Sequence, residues 1–196
     1  MIESVEPIIV FICAHHCKEL VAPIAQAVMA TKGIRLALMD ADKCPAITQQ
    51  LKVEVLPTCL SFMGGKAIDR TAGEMAPEAC VAYVKKVVGL AVSRQASQLM
   101  IDAGKMMSEG KMEAALQAYM AVVQMSREAH GAAATAGMAL CALNLKDTDA
   151  ARDLVETIKR DFPKDLEDPI VKQAMNAVRP LGPVVVGLFV DCKVVC

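Results

Sequence analysis

The first half of the chain alternates short apolar runs with segments whose apolar residues recur at helical spacing. Residues 8–12 form a continuous β-branched and aromatic run, which is typical of a strand buried on both faces. Residues 19–30 show helical spacing and are followed by Gly33, which can end a helix. A second apolar strand is predicted over 34–39. Together these elements predict a βαβ unit with a right-handed crossover.

A short helix, a hairpin and a longer helix are predicted to complete this half. Pro45 can open the short helix and Pro77 the longer one, since proline is favoured in the first helical turn. Two strands over 59–63 and 66–71 are separated by Gly64-Gly65, a pair typical of a two-residue hairpin turn. The predicted order of the first half is therefore β-α-β-α-β-β-α.

From residue 93 onward the pattern predicts helices alone, after a short junction at residues 90–92. We therefore expect three parts: a first domain over 1–89, an all-α domain over 93–178, and an apolar tail over 179–196. Because an exposed apolar strand is an aggregation liability, we expect the β-branched tail to be covered, either as an edge strand or by docking on a partner.

Two segments of the helical domain resemble each other. Residues 109–116, followed by Tyr119, resemble the central part of a tetratricopeptide repeat, and residues 142–151 resemble it more loosely. Gly110 and Asn144 lie 34 positions apart, which is the period of such repeats. Small residues dominate 131–142 and allow close helix approach, which favours stacked helical hairpins with a groove over an open bundle. The alternative is that these helices only pack against the first domain and form no repeat domain of their own, because two repeats are fewer than an independent solenoid needs.

Composition and charge exclude several functional classes. The 196 residues carry a net charge of −1 and include four Phe, two Tyr and no Trp, which offers neither the basic surface nor the stacking residues that nucleic-acid binding needs. Eight cysteines without a secretory signal favour a reducing compartment. We expect the cytoplasm, with a mitochondrion or another organelle as the alternative. The apolar run 183–190 is too short for a membrane span.

The first half resembles the thioredoxin family in its order of elements and in several local strings. These strings are Ala22-Pro23, Asp40-Ala41-Asp42, Val55-Leu56-Pro57-Thr58, Phe62-Met63-Gly64-Gly65-Lys66 and Gly73. The resemblance covers residues 8–88 and implies an α/β thioredoxin-like fold, in a minimal form that lacks the family's usual first strand and helix. It also implies that Pro57 is a cis proline and that the backbone at Leu56, Pro57 and Thr58 binds an extended polypeptide by β-augmentation.

The stretch from Cys13 to Cys17 occupies the place of the family's active site, and it also contains His15 and His16. An active thioredoxin needs Cys-x-x-Cys at a helix N-terminus, which lowers the pKa of the first thiol and supplies a second thiol to resolve the mixed disulfide. Here the spacing is Cys-x-x-x-Cys, and no ungapped register recovers the pair. Val10 stands where the family has a buried acid.

Three interpretations of this stretch are open. In the first, Cys17 and Cys13 are catalytic thiols or form a disulfide, since Cys17 lies near the predicted helix start with Lys18 and two histidines beside it. In the second, the site is a relic and Cys13 is a small buried hydrophobe. The third is a metal site, but four donors within five residues cannot easily surround one ion. We therefore expect no metal and no cofactor.

A thioredoxin-like unit followed directly by tetratricopeptide-type helices resembles the co-chaperone thioredoxins, or chaperedoxins. Members have a degenerate active site with one cysteine beside a histidine, as in His16-Cys17. The resemblance implies a protein-binding co-chaperone that holds client polypeptides and protects them, with mixed disulfides as one route. The alternatives are a non-catalytic scaffold subunit of a larger assembly and a thiol-disulfide oxidoreductase that uses Cys13 and Cys17. In each case the expected partners are protein clients or a protein complex.

Overall fold

The structure is a computed structural model that describes residues 6–14 and 19–178. Predictions about His15, His16, Cys17 and the tail from residue 179 lie outside the described residues. In chain order the elements are β1 (Ile8–Cys13), α1 (Val21–Met29), β2 (Arg35–Asp40), α2 (Pro45–Gln50), β3 (Thr58–Met63), β4 (Lys66–Ala72), α3 (Pro77–Ser108), α4 (Met112–Met125), α5 (Arg127–Asn144), α6 (Thr148–Asp161) and α7 (Pro169–Ala177).

The four strands form one sheet in the order β2-β1-β3-β4. β1 runs parallel to β2, as the predicted βαβ unit requires, and antiparallel to β3, with Ile12 opposite Thr58. β3 and β4 pair antiparallel, with a register shift between Ser61 and Phe62. The two central strands, β1 and β3, have only buried or half-buried residues, which explains their continuous apolar character.

Apolar side chains pack on both faces of the sheet, because successive residues of a strand point to opposite faces. The larger cluster joins the sheet to α1 and α3. Its buried members are Ile9, Phe11, Cys13, Ile24, Ala27, Val28, Ile34, Cys59, Cys80, Tyr83, Val84 and Val87. The smaller cluster contains the buried residues Ile12, Ala41 and Leu60, and Leu56 packs against it. Both clusters reach the end of the sheet where β1 stops.

The hairpin turn predicted between β3 and β4 is confirmed. Gly64 and Gly65 have φ angles of 57° and 73°. Positive φ at both central residues is the signature of a type I′ turn, whose twist matches that of the flanking strands. Glycine is favoured at both positions because L side chains rarely adopt this conformation.

Helix α3 is continuous over its 32 residues. The junction predicted at residues 90–92 therefore lies inside a helix and not in a loop. Contacts within the described part of the chain separate two compact units. The first extends to Asp102 and includes Gln124–His130, and the second contains Ala103–Val123 and the residues from Gly131 onward.

The second unit is built around α5, whose buried residues are mostly small. Ten positions between Gly131 and Ala142 are buried, and most of them are glycine or alanine. Small side chains let neighbouring helices approach closely, and the ring of Tyr119 from α4 lies directly against Gly137. The core around α5 to α7 consists of Ala132, Ala136, Ala139, Leu140, Val155, Ile158, Phe162, Val171 and Ala174.

The helical hairpins repeat with an offset of 36 positions. α4 and α6 begin at Met112 and Thr148, and they end at Met125 and Asp161. Buried side chains recur with the same offset. The pairs are Ala103 with Ala139, Ala115 with Ala151, Tyr119 with Val155, and Val122 with Ile158.

This offset corrects the 34-residue interval expected between Gly110 and Asn144. The turn before each second helix contains one residue in the left-handed conformation, which is Gly110 in the first hairpin and Lys146 in the second, with φ of 78° and 66°. The following amides make the same closing bonds, Lys111 N–H to Met106 C=O and Asp147 N–H to Ala142 C=O. Lys146 is therefore the structural counterpart of Gly110.

Candidate functional site

The end of β1 and the start of β3 lie at the same end of the sheet. The antiparallel register ends with Ile12 opposite Thr58. Cys13 comes one residue later on β1, and Pro57 comes one residue earlier than β3. The structure therefore brings one of the two candidate thiols, Cys13, to the same end of the sheet as the predicted peptide-binding residues.

The segment around Pro57 has a defined backbone geometry. The Leu56–Pro57 peptide bond is cis, as the family resemblance implied. The carbonyl of Pro57 accepts a hydrogen bond from the amide of Gly73 at 2.8 Å. The hydroxyl of Thr58, which is fully buried, donates to the carbonyl of Val55 at 2.6 Å. These bonds hold the loop from both sides.

The backbone of Leu56 takes no part in these bonds. In the described part of the chain, its amide and carbonyl make no hydrogen bond with another residue. Its side chain is half-buried against Ile12, Ala41 and Leu60, which fixes the residue in place. The preceding side chain, Val55, is 52% exposed. An open backbone beside an exposed apolar side chain can accept an extended segment of another chain.

Cys13 is held inside the fold. It is only 9% exposed and belongs to the cluster that contains Ile24 and Val28 of α1. Its carbonyl accepts a hydrogen bond from the amide of Ala41 at 2.9 Å. Cys17, the other candidate thiol, lies outside the described residues, so their pairing and reactivity stay a prediction.

Two other thiols of the first unit, Cys59 and Cys80, are buried in the same cluster. Burial raises the pKa of Cys59 from 9.0 to about 12, with a smaller contribution from the nearby Cys80 thiol. Burial and then Glu78 raise the pKa of Cys80 as well. A thiol with a raised pKa is a poor nucleophile, so both residues suit a packing role.

His130 connects two serines within the first unit. Its Nε2 lies 2.9 Å from Ser97 Oγ, and its Nδ1 lies 3.1 Å from Ser126 Oγ. Ser97 Oγ already donates to the carbonyl of Ser93 at 2.9 Å. Its oxygen must therefore accept from an Nε2 that carries the proton. Such a nitrogen cannot take a proton from Ser97, so this arrangement links α3 to α5 and is not a nucleophile with its base.

Two site residues were not predicted individually from the sequence. Val55 and Gly73 are part of the sequence strings that resemble the thioredoxin family, but no role was predicted for either residue. In the structure, Val55 supplies exposed apolar surface, and the Gly73 amide donates a hydrogen bond to the Pro57 carbonyl.

Within residues 6–14 and 19–178, no group of three or more His, Cys, Asp or Glu could hold a metal ion. No helix in the same ranges is long and apolar enough to cross a membrane.

Family models match both halves of the chain. One model, described as thioredoxin, matches residues 5–86, and another, described as tetratricopeptide repeat, matches residues 106–177. The chain is a thioredoxin domain followed by tetratricopeptide repeats. The thioredoxin domain carries the Pro57 loop and both candidate thiols, and the repeat region contains the two hairpins that are offset by 36 positions.

Several solved thioredoxins are similar to the thioredoxin domain. Thioredoxin-2 of the malaria parasite, titled a component of its protein secretion machinery, is 20% identical, with 42% of this chain and 84% of that chain covered and a TM-score of 0.39. A mutant thioredoxin of Halobacterium salinarum is 16% identical, with 42% of this chain and 75% of that chain covered and a TM-score of 0.39. Mitochondrial thioredoxin 3 of Saccharomyces cerevisiae is 20% identical, with 42% of this chain and 79% of that chain covered and a TM-score of 0.38. The comparison with curated proteins gave no match.

Proposed function

We propose that this protein is a co-chaperone that holds extended segments of client polypeptides at the Pro57 loop of its thioredoxin domain. The open backbone at Leu56 carries this proposal, because a client strand can pair with it as an added strand. Val55 adds apolar contact beside that backbone. Leu56, Pro57 and Thr58 are the peptide-binding residues of the proposal.

The thiol that meets clients is Cys17 in this proposal, with Cys13 in a supporting role. Cys13 is buried and packed by α1, which disfavours direct attack on a large substrate. A Cys17 thiolate that attacks a client disulfide, or a client cysteine already oxidised to a sulfenic acid, would form a mixed disulfide and release the second client thiol or water. The mixed disulfide would protect the client cysteine from further oxidation, in the cytoplasm or in a mitochondrion or another organelle. Such chemistry needs only one accessible thiol and no two-cysteine cycle.

The tetratricopeptide region supplies a second surface for clients or for a fixed protein partner. A cleft of about 410 Å³ opens between α6 and the end of α7. Its described lining combines the apolar side chains of Val155, Met175 and Val178 with the charged groups of Arg152, Glu156 and Lys159. A cleft of mixed character suits an amphipathic protein segment.

Client holding is tested with a Val55→Asp variant and a permanently unfolded probe, such as reduced and carboxymethylated lactalbumin, in fluorescence anisotropy. We expect the variant to bind the probe about tenfold more weakly, equivalent to about 1.4 kcal/mol, because its carboxylate would be desolvated against the client. Ile101→Asp is the control, since Ile101 is 55% exposed and has no place in the Pro57 loop. If Val55→Asp and Ile101→Asp bound the unfolded probe with equal affinity, client binding at this loop would be refuted.

The thiol step is tested by trapping adducts in cells with acid and an alkylating agent. We expect a mixture of client adducts that Cys17→Ser removes and Cys13→Ser leaves. A single adduct of fixed stoichiometry would favour the scaffold subunit. Loss of adducts in both variants, together with insulin reduction by the unmodified protein, would favour the oxidoreductase.

A further inference from the structure

The β2 edge of the sheet is open in the described part of the chain. There β2 pairs on one side with β1, in a regular register from Ile8–Arg35 to Cys13–Asp40, and it is the last strand of the sheet. Leu38 is 59% exposed, and Arg35 and Ala37 are exposed as well. An edge strand presents a row of N–H and C=O groups to any strand that can approach it.

β2 lacks the features that usually keep sheet edges apart. Its sequence, Arg-Leu-Ala-Leu-Met-Asp, contains no proline, and its four central residues are apolar. The ladder with β1 contains no bulge. Monomeric proteins commonly protect an edge with a central charge, a proline or a bulge. The edge is therefore well suited to accept another strand.

The charges at the two ends of β2 select the kind of strand that fits. The groups at the first end are Lys32, Arg35 and Glu6, and those at the second end are Asp40, Asp42 and Lys43. Among the described residues, even with the ion pairs Arg35–Glu6 and Lys43–Asp40 at 3.7 Å each, one cation remains at the first end and one anion at the second. A partner with the opposite order of charges, running antiparallel, would complement both ends.

The same strand in reverse has this order of charges. We propose that β2 pairs antiparallel with β2 of a second copy of this chain. Antiparallel self-pairing brings the positive end of each strand to the negative end of the other, whereas parallel pairing would bring like charges together. The two four-stranded sheets would then form one continuous sheet.

The pleat of the strand fixes the register of this pairing. In an antiparallel pair, the side chains of directly opposite residues point to the same face of the sheet. Side chains alternate between the two faces along a strand. In a pair of identical strands related by a twofold axis, the sequence numbers of opposite residues therefore differ by an even number. If the twofold axis passes through Ala37, Ala37 of one copy lies opposite Ala37 of the other. Leu36 of each copy then lies opposite Leu38 of the other copy. Centring the pair on Leu38 would place Leu36 opposite Asp40 and lose that apolar match. The pairing therefore centres on Ala37.

The interface is small, because each copy contributes one six-residue strand. Stable dimers bury roughly 800 Å² per partner. A single strand pair covers less, so we expect a reversible dimer whose population rises with protein concentration. The Pro57 loop is not part of this edge, and the inference does not rest on the proposed function.

The register is tested by cross-linking of single-cysteine additions under mild oxidation with copper phenanthroline. Ala37→Cys should give a covalent dimer well above the level of the unmodified chain, because the two new thiols lie directly opposite each other. Leu38→Cys is the register control and should cross-link more weakly, since its two copies are diagonal. If Ala37→Cys and Leu38→Cys both gave no more covalent dimer than the unmodified chain, the proposed pairing would be wrong.

Self-association is measured by sedimentation velocity over about a hundredfold range of concentration. Leu38→Lys should weaken dimerisation at least tenfold, because it places a charge opposite Leu36 of the other copy. Ile101→Lys, at a site with 55% exposure, should leave it unchanged. An equimolar mixture of Leu38→Lys and Leu38→Glu chains should regain the dimer. A chain that stays monomeric throughout, or one whose association ignores Leu38→Lys, would refute the proposal.

Discussion

At the scale of single residues, Gly137 determines how closely α4 and α5 pack. A Cβ atom built there would lie 2.6 to 2.8 Å from the ring atoms of Tyr119. Real contacts are not that short, and the ring has no room to move because Tyr119 is only 2% exposed. The absent side chain is therefore what lets a tyrosine fill the space between the two helices.

We expect Gly137→Ala to lower the free energy of unfolding by about 1–3 kcal/mol, since overpacking outweighs the better helix propensity of alanine. Denaturant titration followed by circular dichroism measures this change. Gly104→Ala is the matched control, because its nearest neighbour, Tyr119 Oη, is at an ordinary 3.9 Å. That variant should be neutral or slightly stabilised. Stabilisation of both variants would show that the Tyr119 ring can move aside.

Local backbone signals were the most predictable part of the site. The cis bond before Pro57 and the left-handed Gly64-Gly65 turn were expected from family strings and turn chemistry, and both are present. The open backbone at Leu56 could not be predicted, because it depends on which partners the surrounding loop supplies. The link from His130 to Ser97 joins residues 33 positions apart and left no local signal.

At the scale of elements, strands and short helices followed the apolar pattern, but the long helix and the repeat offset did not. The change of pattern predicts a junction at residues 90–92, but α3 passes through Gly89 and through these positions without a break. The similarity of residues 109–116 and 142–151 aligns Gly110 with Asn144, 34 positions apart. The left-handed residue is instead Lys146, an uncommon choice that sequence similarity does not reveal.

The first turn of α6 depends on an N-cap. Asp147 Oδ1 accepts a hydrogen bond from the amide of Ala150 at 3.0 Å. We expect Asp147→Ala to lower the free energy of unfolding by about 1 kcal/mol, as for other lost N-caps. Asp149→Ala is the control, because its carboxylate is 90% exposed and pairs with Arg152 at the surface. Equal losses in the two variants, measured by denaturant titration, would assign the effect to general charge near the helix start.

At the scale of the whole molecule, the buried protonated groups predict how stability depends on pH. In the first unit, burial raises the pKa of Cys59 from 9.0 to about 12 and that of Tyr83 from 10.0 to about 12. Burial also raises the pKa of Tyr119 and Cys141 in the second unit. Each group keeps its proton in the folded chain at a pH where the unfolded chain has lost it. Both units should therefore lose stability in alkali.

The sign and size of this loss follow from proton linkage. A raised folded-state pKa contributes stability that is fully present below the unfolded value, here about pH 9 for Cys59, and that is lost as pH rises toward about 12. The slope is about 1.4 kcal/mol per pH unit for each such group. Denaturant titrations between about pH 8 and about pH 11 should show a steepening decline.

Cys59→Ala should make that decline shallower by about one group's slope above pH 9, although its stability at pH 8 falls because a buried side chain is truncated. Val87→Ala is the matched control, since Val87 is fully buried in the same cluster and does not titrate. It should lower stability equally at every pH. If Cys59→Ala and Val87→Ala gave parallel curves, the Cys59 proton would contribute nothing to alkaline unfolding, and the loss would have to come from the tyrosines and the other thiols.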